Sequence, residues 1–133
     1  MPPTAQELAS ALIQTFEGPM RLKSFQDSGG VWTIGLGRTA GVTEGMTCTE
    51  AQGISWFSTD QAPLFALVAG IPKPLAQAAY ISFGYNCGAG ALGRVMRGMD
   101  TIMNPVHQTD RHGNTLPGLT SRRTLEHLLI LSA

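Results

Sequence analysis

Apolar residues near the N-terminus recur at the spacing of one face of a helix. They occupy positions 8, 12, 13 and 16, and a period near 3.6 residues is typical of an amphipathic helix. Thr4 and Glu7 have the spacing of a capping box, and Gly18 followed by Pro19 is typical of a helix end. The pattern predicts a helix over about residues 6–17 that ends at Glu17.

The pattern then changes to that of a β-hairpin. Residues 21–25 mix polar and apolar side chains, Asp27 opens a Ser-Gly-Gly turn, and residues 31–34 are β-branched or aromatic. Two such runs around a glycine-rich turn indicate a hairpin. Asp27 enters the turn and Thr33 lies on the returning strand, so both side chains can face one space. The glycines of segment 35–37 permit close approach of backbone or ligand.

The rest of the chain has the pattern of helices separated by loops. Thr47 and Glu50 predict a second capping box, and Pro63 is expected to kink or divide the helix that follows. Gly88 and Gly90 are expected to end a buried central helix. Helices are predicted over residues 75–87, 91–97 and 119–131, with a loop-rich stretch over 101–117.

The composition is that of one compact domain. The chain has 133 residues, of which 43% are hydrophobic and 14% charged, and a domain of this size buries roughly two-thirds of its unfolded surface. A single domain over residues 1–133 is therefore expected. The formal net charge is zero, which gives no bulk attraction to an anionic surface. Neither charge spacing nor aromatic interleaving indicates nucleic-acid binding.

The cysteines and histidines lack the spacing of metal ligands. Cys48 and Cys87 lie in different predicted elements, and two buried thiols are the favoured interpretation. His107 and His112 are expected in a loop, and His127 on the last helix. We therefore expect no metal site, and no cofactor is needed for the chemistry below.

Glu17 has the position expected of a proton donor. The negative end of a helix dipole disfavours a carboxylate, and partial burial beside Phe16 has the same effect. Both effects favour the protonated form that a general acid needs. Taken singly, Glu17 can equally be a solvated helix end, Asp27 a turn residue and Thr33 a strand former.

Together these residues resemble the phage-type lysozymes, or endolysins, of glycoside hydrolase family 24. The resemblance covers nearly the whole chain, and its first blocks are the most specific. The motifs that carry it are Phe16-Glu17-Gly18, Arg21-Leu22-Lys23, Asp27-Ser28-Gly29-Gly30-Val31-Trp32-Thr33-Ile34-Gly35, Gly41-Val42, Thr49-Glu50-Ala51-Gln52, Asn86-Cys87-Gly88-Ala89-Gly90-Ala91 and Leu116-Pro117-Gly118-Leu119 with Arg122-Arg123.

The resemblance implies an α+β, mostly α, lysozyme-like fold with a small N-terminal β-hairpin lobe, a larger helical lobe and an intervening cleft. It also implies that Glu17 is the acid, that Asp27 handles the water and that Thr33 completes the catalytic set. Asn86 is a candidate for substrate contact or for bracing the cleft, with helix-end capping as the alternative.

The chain departs from the family pattern at three places. One residue more than usual separates Glu17 from Asp27, and a bulge or a longer loop must absorb it if the site is intact. Arg38 stands where relatives often have His or Trp, and it is expected to pair with a carboxylate or to bind substrate. Residues 103–114 also diverge. The spacing between Asp27 and Thr33 matches the family.

The expected function is that of an endolysin: a muramidase that hydrolyses the β-1,4 bond between N-acetylmuramic acid and N-acetylglucosamine in bacterial peptidoglycan during host lysis. Inversion at the anomeric carbon is expected from the resemblance. The other expected features are a monomer, no signal peptide or membrane anchor, residence in the host cytoplasm until lysis, and dependence on a separate holin-type membrane protein to reach the periplasm.

Two alternatives remain open at the level of the sequence. A lytic transglycosylase would cleave the same bond with the acid alone and leave a 1,6-anhydro end, and the presence of Asp27 argues against it. A catalytically impaired peptidoglycan-binding protein would tolerate the extra residue after Glu17 and the divergent segment 103–114.

Overall fold

A computed structural model describes residues 1–27, 29–110 and 112–132. Ser28 of the predicted turn, Arg111 of the divergent segment and Ala133 lie outside the described residues. The elements are α1 (Ala5–Glu17), β1 (Arg21–Gln26), β2 (Trp32–Gly35), α2 (Glu50–Leu67), α3 (Pro74–Cys87), α4 (Ala89–Met96), a 3₁₀ turn (Pro105–Gln108) and α5 (Pro117–Ser132). The described part is mostly helical with one small antiparallel sheet, as the sequence predicted.

Local capping fixes both ends of α1. The Glu7 N–H donates to Thr4 Oγ1 at 3.1 Å, which is the predicted N-terminal cap. At the other end Gly18 has φ +81°, and its N–H donates to the Gln14 carbonyl at 3.0 Å. Glycine adopts this left-handed conformation without the steric cost of a Cβ atom. The predicted helix and its C-terminal residue, Glu17, are confirmed.

The predicted capping box of α2 was wrong by two residues. The Gln52 N–H donates to Thr49 Oγ1 at 3.1 Å, and the Thr49 N–H donates to Gln52 Oε1 at 2.8 Å. The capping box is therefore Thr49–Gln52, whereas Thr47 pairs with Lys23 in an isolated β-bridge. Pro63 lies inside α2 and does not divide it.

The hairpin contains the irregularity that the extra residue required. Phe25 pairs with Thr33 and Arg21 with Gly35, so the register shifts between these two pairs. Three residues of β1 oppose a single residue of β2 there, which is the signature of a bulge. The bulged segment bonds elsewhere: the Ser24 N–H donates to the Met46 carbonyl at 2.8 Å, and the Cys48 N–H to the Leu22 carbonyl at 2.9 Å.

The chain forms two compact units. One comprises Met1–Ile13 with Pro63–Ala133, and the other comprises Gln14–Ala62. In the first unit α3 packs against α4 and α5, and most of α3 between Ala76 and Gly84 is buried. The hairpin belongs to the second unit.

Two arginines of α5 are buried with a glutamate. Arg123 donates from Nε to Glu126 Oε1 at 2.6 Å and from Nη2 to Oε2 at 2.9 Å. Ser82 donates from Oγ to Glu126 Oε2 at 2.5 Å, and Arg122 donates from Nη2 to the Ser82 carbonyl at 3.0 Å. These contacts join α3 to α5.

His107 does not decorate a loop as predicted. It is buried in the 3₁₀ turn, where its Nε2 lies 2.8 Å from Asp100 Oδ2 and its ring meets Phe83 edge to face at 4.9 Å between centroids. Asp100 also accepts a hydrogen bond from Asn104 Nδ2 at 2.9 Å. The bonds from Asn104, His107 and the Thr101 N–H lower the pKa of Asp100 from 3.8 to about 2.

Two smaller expectations also change. Both cysteines are free but half-buried rather than buried. Gly88 caps the end of α3, whereas Gly90 lies within α4. None of the helices in the described part is both long and apolar enough to span a membrane.

Candidate active site

Glu17 lies at the end of α1 with its carboxyl group against a glycine. The side chain is half-buried, and the backbone of Gly37 is so close to it that a Cβ atom at position 37 would stand 2.7 Å from Glu17 Oε2. Gly37 has φ +101°, a conformation that side chains rarely adopt. The predicted close approach at segment 35–37 is therefore an approach to the candidate acid.

Asp27 and Thr33 are joined through the main chain of Val31. The Val31 N–H donates to Asp27 Oδ1 at 2.9 Å, and the Gly29 N–H donates to the same oxygen at 2.8 Å. The Thr33 hydroxyl donates to the Val31 carbonyl at 3.0 Å. The main chain of one residue, Val31, thus hydrogen-bonds to both side chains.

This arrangement leaves acceptor atoms available at both residues. Asp27 is exposed, and its Oδ2 forms no hydrogen bond with another residue in the described part of the chain. The hydroxyl proton of Thr33 is engaged by Val31, so the lone pairs of Oγ1 can accept a hydrogen bond. A water molecule that donates to both oxygens would be oriented between two acceptors.

Arg38 pairs with a carboxylate, as one of its two predicted roles required. Its guanidinium carbon lies 4.9 Å from the centroid of the Trp56 ring, and its Nη1 lies 3.7 Å from Asp60 Oδ1. This distance indicates an ion pair without a direct hydrogen bond. Burial raises the pKa of the Asp60 carboxyl, and the charge of Arg38 opposes that rise. Substrate binding by Arg38 stays a prediction.

Asn86 belongs to the other compact unit, and its contacts are those of a brace. It lies in the last turn of α3, where its Oδ1 accepts a hydrogen bond from Arg123 Nη1 at 2.8 Å. The residue is exposed and lines a pocket of about 300 Å³. The other residues that line this pocket are Cys87, Val106, His107, Thr109 and Leu119. Contact of Asn86 with substrate stays a prediction.

Residues 14–126 match the sequence pattern of a known family, described as phage lysozyme. This range contains Glu17, Asp27 and Thr33 and covers most of the chain. The chain belongs to the phage lysozyme family. The resemblance that the motifs indicated is thereby confirmed.

Two similar proteins match this chain over nearly their whole length. An endolysin of Acyrthosiphon pisum secondary endosymbiont phage 1 is 30% identical over 148 aligned positions, which cover 96% of this chain and 97% of that protein. The muramidase domain of SpmX from Asticaccaulis excentricus has 26% identity and a TM-score of 0.70, with 94% of this chain and 95% of that chain covered.

Two phage endolysins of known structure share the fold. The endolysin from Escherichia coli O157:H7 phage FAHEc1 has 26% identity and a TM-score of 0.72 over 97% of this chain and 94% of that chain. The active form of the P1 phage endolysin Lyz has 22% identity and a TM-score of 0.72 over 95% and 84% of the two chains. The lysozyme-like fold predicted from the sequence is confirmed.

Some residues around the site of this phage lysozyme were not singled out from the sequence. Trp56 and Asp60 are one helical turn apart on α2, a spacing that places them on one face, but the approach of Arg38 depends on folding of the hairpin. Gly37 was noted as a position of close approach without its partner. The sequence does not identify Glu17 as that partner, because the contact depends on the positive φ of Gly37, which is a property of the folded backbone.

Proposed function

We propose that this chain is an endolysin with muramidase activity. It would hydrolyse the β-1,4 bond between N-acetylmuramic acid and N-acetylglucosamine in peptidoglycan. Family membership over residues 14–126 and the endolysin relative, of which 97% is covered, support this proposal. The observation that carries it is the joint fixing of Asp27 and Thr33 by Val31, in the same compact unit as Glu17.

In the proposed mechanism Glu17 is the general acid. Its carboxyl proton passes to the glycosidic oxygen as the bond from that oxygen to the anomeric carbon breaks, which gives the leaving sugar a hydroxyl group. The anomeric carbon develops positive charge in this step. A proton from solvent then converts the remaining Glu17 carboxylate back to the acid.

Asp27 and Thr33 would deliver the water. The water donates one hydrogen bond to the Asp27 carboxylate and one to Thr33 Oγ1, which leaves a lone pair for attack on the anomeric carbon. Asp27 takes a proton from the water as the new carbon–oxygen bond forms. Attack on the face opposite to the leaving group inverts the configuration, so the first product should be the α-anomer.

The remaining features of the proposal concern its setting. Peptidoglycan strands are the substrate, and the chain acts as a monomeric catalytic domain over residues 1–133. It would reside in the host cytoplasm until a holin-type protein opens the membrane, and then act on the wall in the periplasm. Arg38 and Asn86 are proposed substrate contacts, and neither nucleic acid nor a cofactor takes part.

The test is clearing of outer-membrane-permeabilised Gram-negative cells by the parent protein, Glu17→Gln, Asp27→Asn and the control Glu44→Gln. Glu44 is an exposed carboxylate of the same compact unit, so its change should leave activity intact. We expect clearing by the parent and the control only, with reducing-end muropeptides in mass spectra and an α-anomer in time-resolved NMR spectra.

Other outcomes would assign the chain differently. Products with 1,6-anhydro ends would identify a lytic transglycosylase. Binding to purified peptidoglycan without turnover by folded parent protein would identify a binding protein. Full activity of Glu17→Gln would remove Glu17 from the mechanism.

A further inference from the structure

The side chain of Glu17 is seated on the backbone of Gly37. A Cβ atom built on Gly37 would lie 2.7 Å from Glu17 Oε2, 2.9 Å from Cδ and 3.3 Å from Cγ, and these are the three nearest atoms to it. Contacts below 3.0 Å from a carbon atom are strongly repulsive. The space that a side chain at position 37 would occupy is therefore already filled by the candidate acid.

The turn that carries Gly37 is held on both sides. Ile34 and Arg38 exchange two main-chain hydrogen bonds of 2.9 Å, and Ile34 is fully buried. The Arg38 side chain lies over Trp56 and beside Asp60 on α2. A turn fixed in this way resists displacement, whereas the carboxyl group at the end of the Glu17 side chain can move by rotation about its χ angles.

We infer that Gly37 is a positioning residue for the acid, an inference that rests on the proposed role of Glu17. The absence of a side chain at position 37 lets the carboxyl group lie directly on a rigid backbone. An alanine at this position would displace the carboxyl group and leave the hairpin in place. Because proton transfer depends on the distance to the glycosidic oxygen, such a displacement slows the chemical step more than it weakens binding.

Gly41 provides the matched control in the same compact unit. It also has a positive φ, +72°, but a Cβ atom built on it would meet nothing within 4 Å. Alanine at either position strains the backbone, and more so at position 37, whose φ of +101° lies farther from the left-handed region that non-glycine residues can enter. Only the alanine at position 37 would also push on Glu17.

The experiment compares Gly37→Ala, Gly41→Ala and Glu17→Gln with the parent protein. Turnover of purified peptidoglycan gives kcat and KM, and circular dichroism with thermal unfolding establishes the folded state. We expect Gly37→Ala to remain folded and to lose on the order of 100-fold in kcat, the scale for misplacement of a reacting group by about 1 Å, with KM little changed. Gly41→Ala should keep the parent kcat.

A double-mutant cycle separates positioning from a general structural effect. Glu17→Asp shortens the acid and withdraws it from position 37, so its cost and that of Gly37→Ala should not add, whereas Glu17→Asp with Gly41→Ala should be additive. Equal kcat for the two alanine variants, additivity in both cycles, or unfolding of Gly37→Ala alone would overturn the inference while Glu17 stands as the acid. Full activity of Glu17→Gln would instead remove Glu17 from the mechanism, and absence of turnover by the folded parent protein would refute the proposed function.

Discussion

The sulfur of Met20 packs directly on the α2 backbone at Gly53. A Cβ atom at position 53 would collide with Met20 Sδ and would lie 3.0 Å from its Cε. Met20 belongs to the short link between α1 and β1. A glycine in α2 thus makes room for the Met20 side chain.

We expect Gly53→Ala to lower the free energy of unfolding despite the preference of helices for alanine. Alanine gains about 1 kcal/mol over glycine inside a helix, but overpacking of a buried contact costs typically about 1–3 kcal/mol. Urea denaturation would measure the difference.

The control is the double variant Gly53→Ala with Met20→Ala, which removes the colliding side chain. It should be more stable than Met20→Ala alone, because a helix prefers alanine to glycine once the collision is removed. If Gly53→Ala is more stable than the parent, the helix preference outweighs the contact and Met20 can move without cost.

Loss of the charge on Glu126 should be strongly destabilising. Glu126 and Arg123 are both fully buried and share two hydrogen bonds. Removal of one partner of a buried ion pair leaves an uncompensated charge, at a cost of about 3–5 kcal/mol. Glu126→Gln should therefore lower the free energy of unfolding by this amount in urea titrations.

Glu44→Gln serves as the comparison for Glu126→Gln. Glu44 is exposed, and substitutions at such sites usually change stability by less than about 0.5 kcal/mol. Similar effects of the two variants would mean that solvent reaches the Arg123 side chain.

Stability should fall in acid as Asp100 is protonated. The pKa of Asp100 is about 2 in the folded protein against the ordinary value of 3.8, so the unfolded state binds more protons between these pH values. The stabilisation by Asp100 is therefore complete above about pH 4 and is lost as the pH falls towards 2. Asp100→Asn should flatten the dependence of the urea midpoint on pH in this window.

Asp60 should affect the pH dependence of stability in the opposite direction, so it is the control for the effect of Asp100. Because burial raises its pKa in the folded protein, ionisation of Asp60 disfavours the folded state at pH values above 3.8. Above pH 3.8, the free energy of unfolding of Asp60→Asn should therefore rise more steeply with pH than that of the parent. If the urea midpoint of Asp100→Asn falls in acid as steeply as that of the parent, other carboxylates govern acid denaturation.

The cap of α2 can be assigned by mutation. Thr49→Ala removes the acceptor for the Gln52 N–H and should cost about 1 kcal/mol in the free energy of unfolding. Thr47→Ala lies outside the capping box and should cost less when measured by the same denaturation. The reverse order would restore the cap first predicted from the sequence.

Much of the fold could be predicted because its signals are local. The cap of α1, the glycine at its end and the hairpin each depend on residues a few positions apart. The α2 cap was misplaced because two threonines each precede an acidic or amide residue by three positions. Pairing of Thr47 with Lys23 decides between them, and this contact joins distant parts of the chain.

The candidate site was predictable as a set of residues but not as a geometry. The motif around Glu17, Asp27 and Thr33 identified the family, which the match over residues 14–126 bears out. The part played by Val31 is a main-chain contact, for which no side-chain type is required. Burial of His107 was missed because its partners, Asp100 and Phe83, act through packing rather than through a sequence period.

The bulge in β1 has a consequence for association between chains. A two-stranded sheet normally leaves one edge of each strand with unpaired N–H and C=O groups, which can template pairing with another molecule. Here the bulged segment turns its main chain to residues 46–48, where Leu22 and Ser24 find their partners. Part of this edge of β1 is thereby covered from within the chain, which protects it against edge-to-edge aggregation as the protein accumulates.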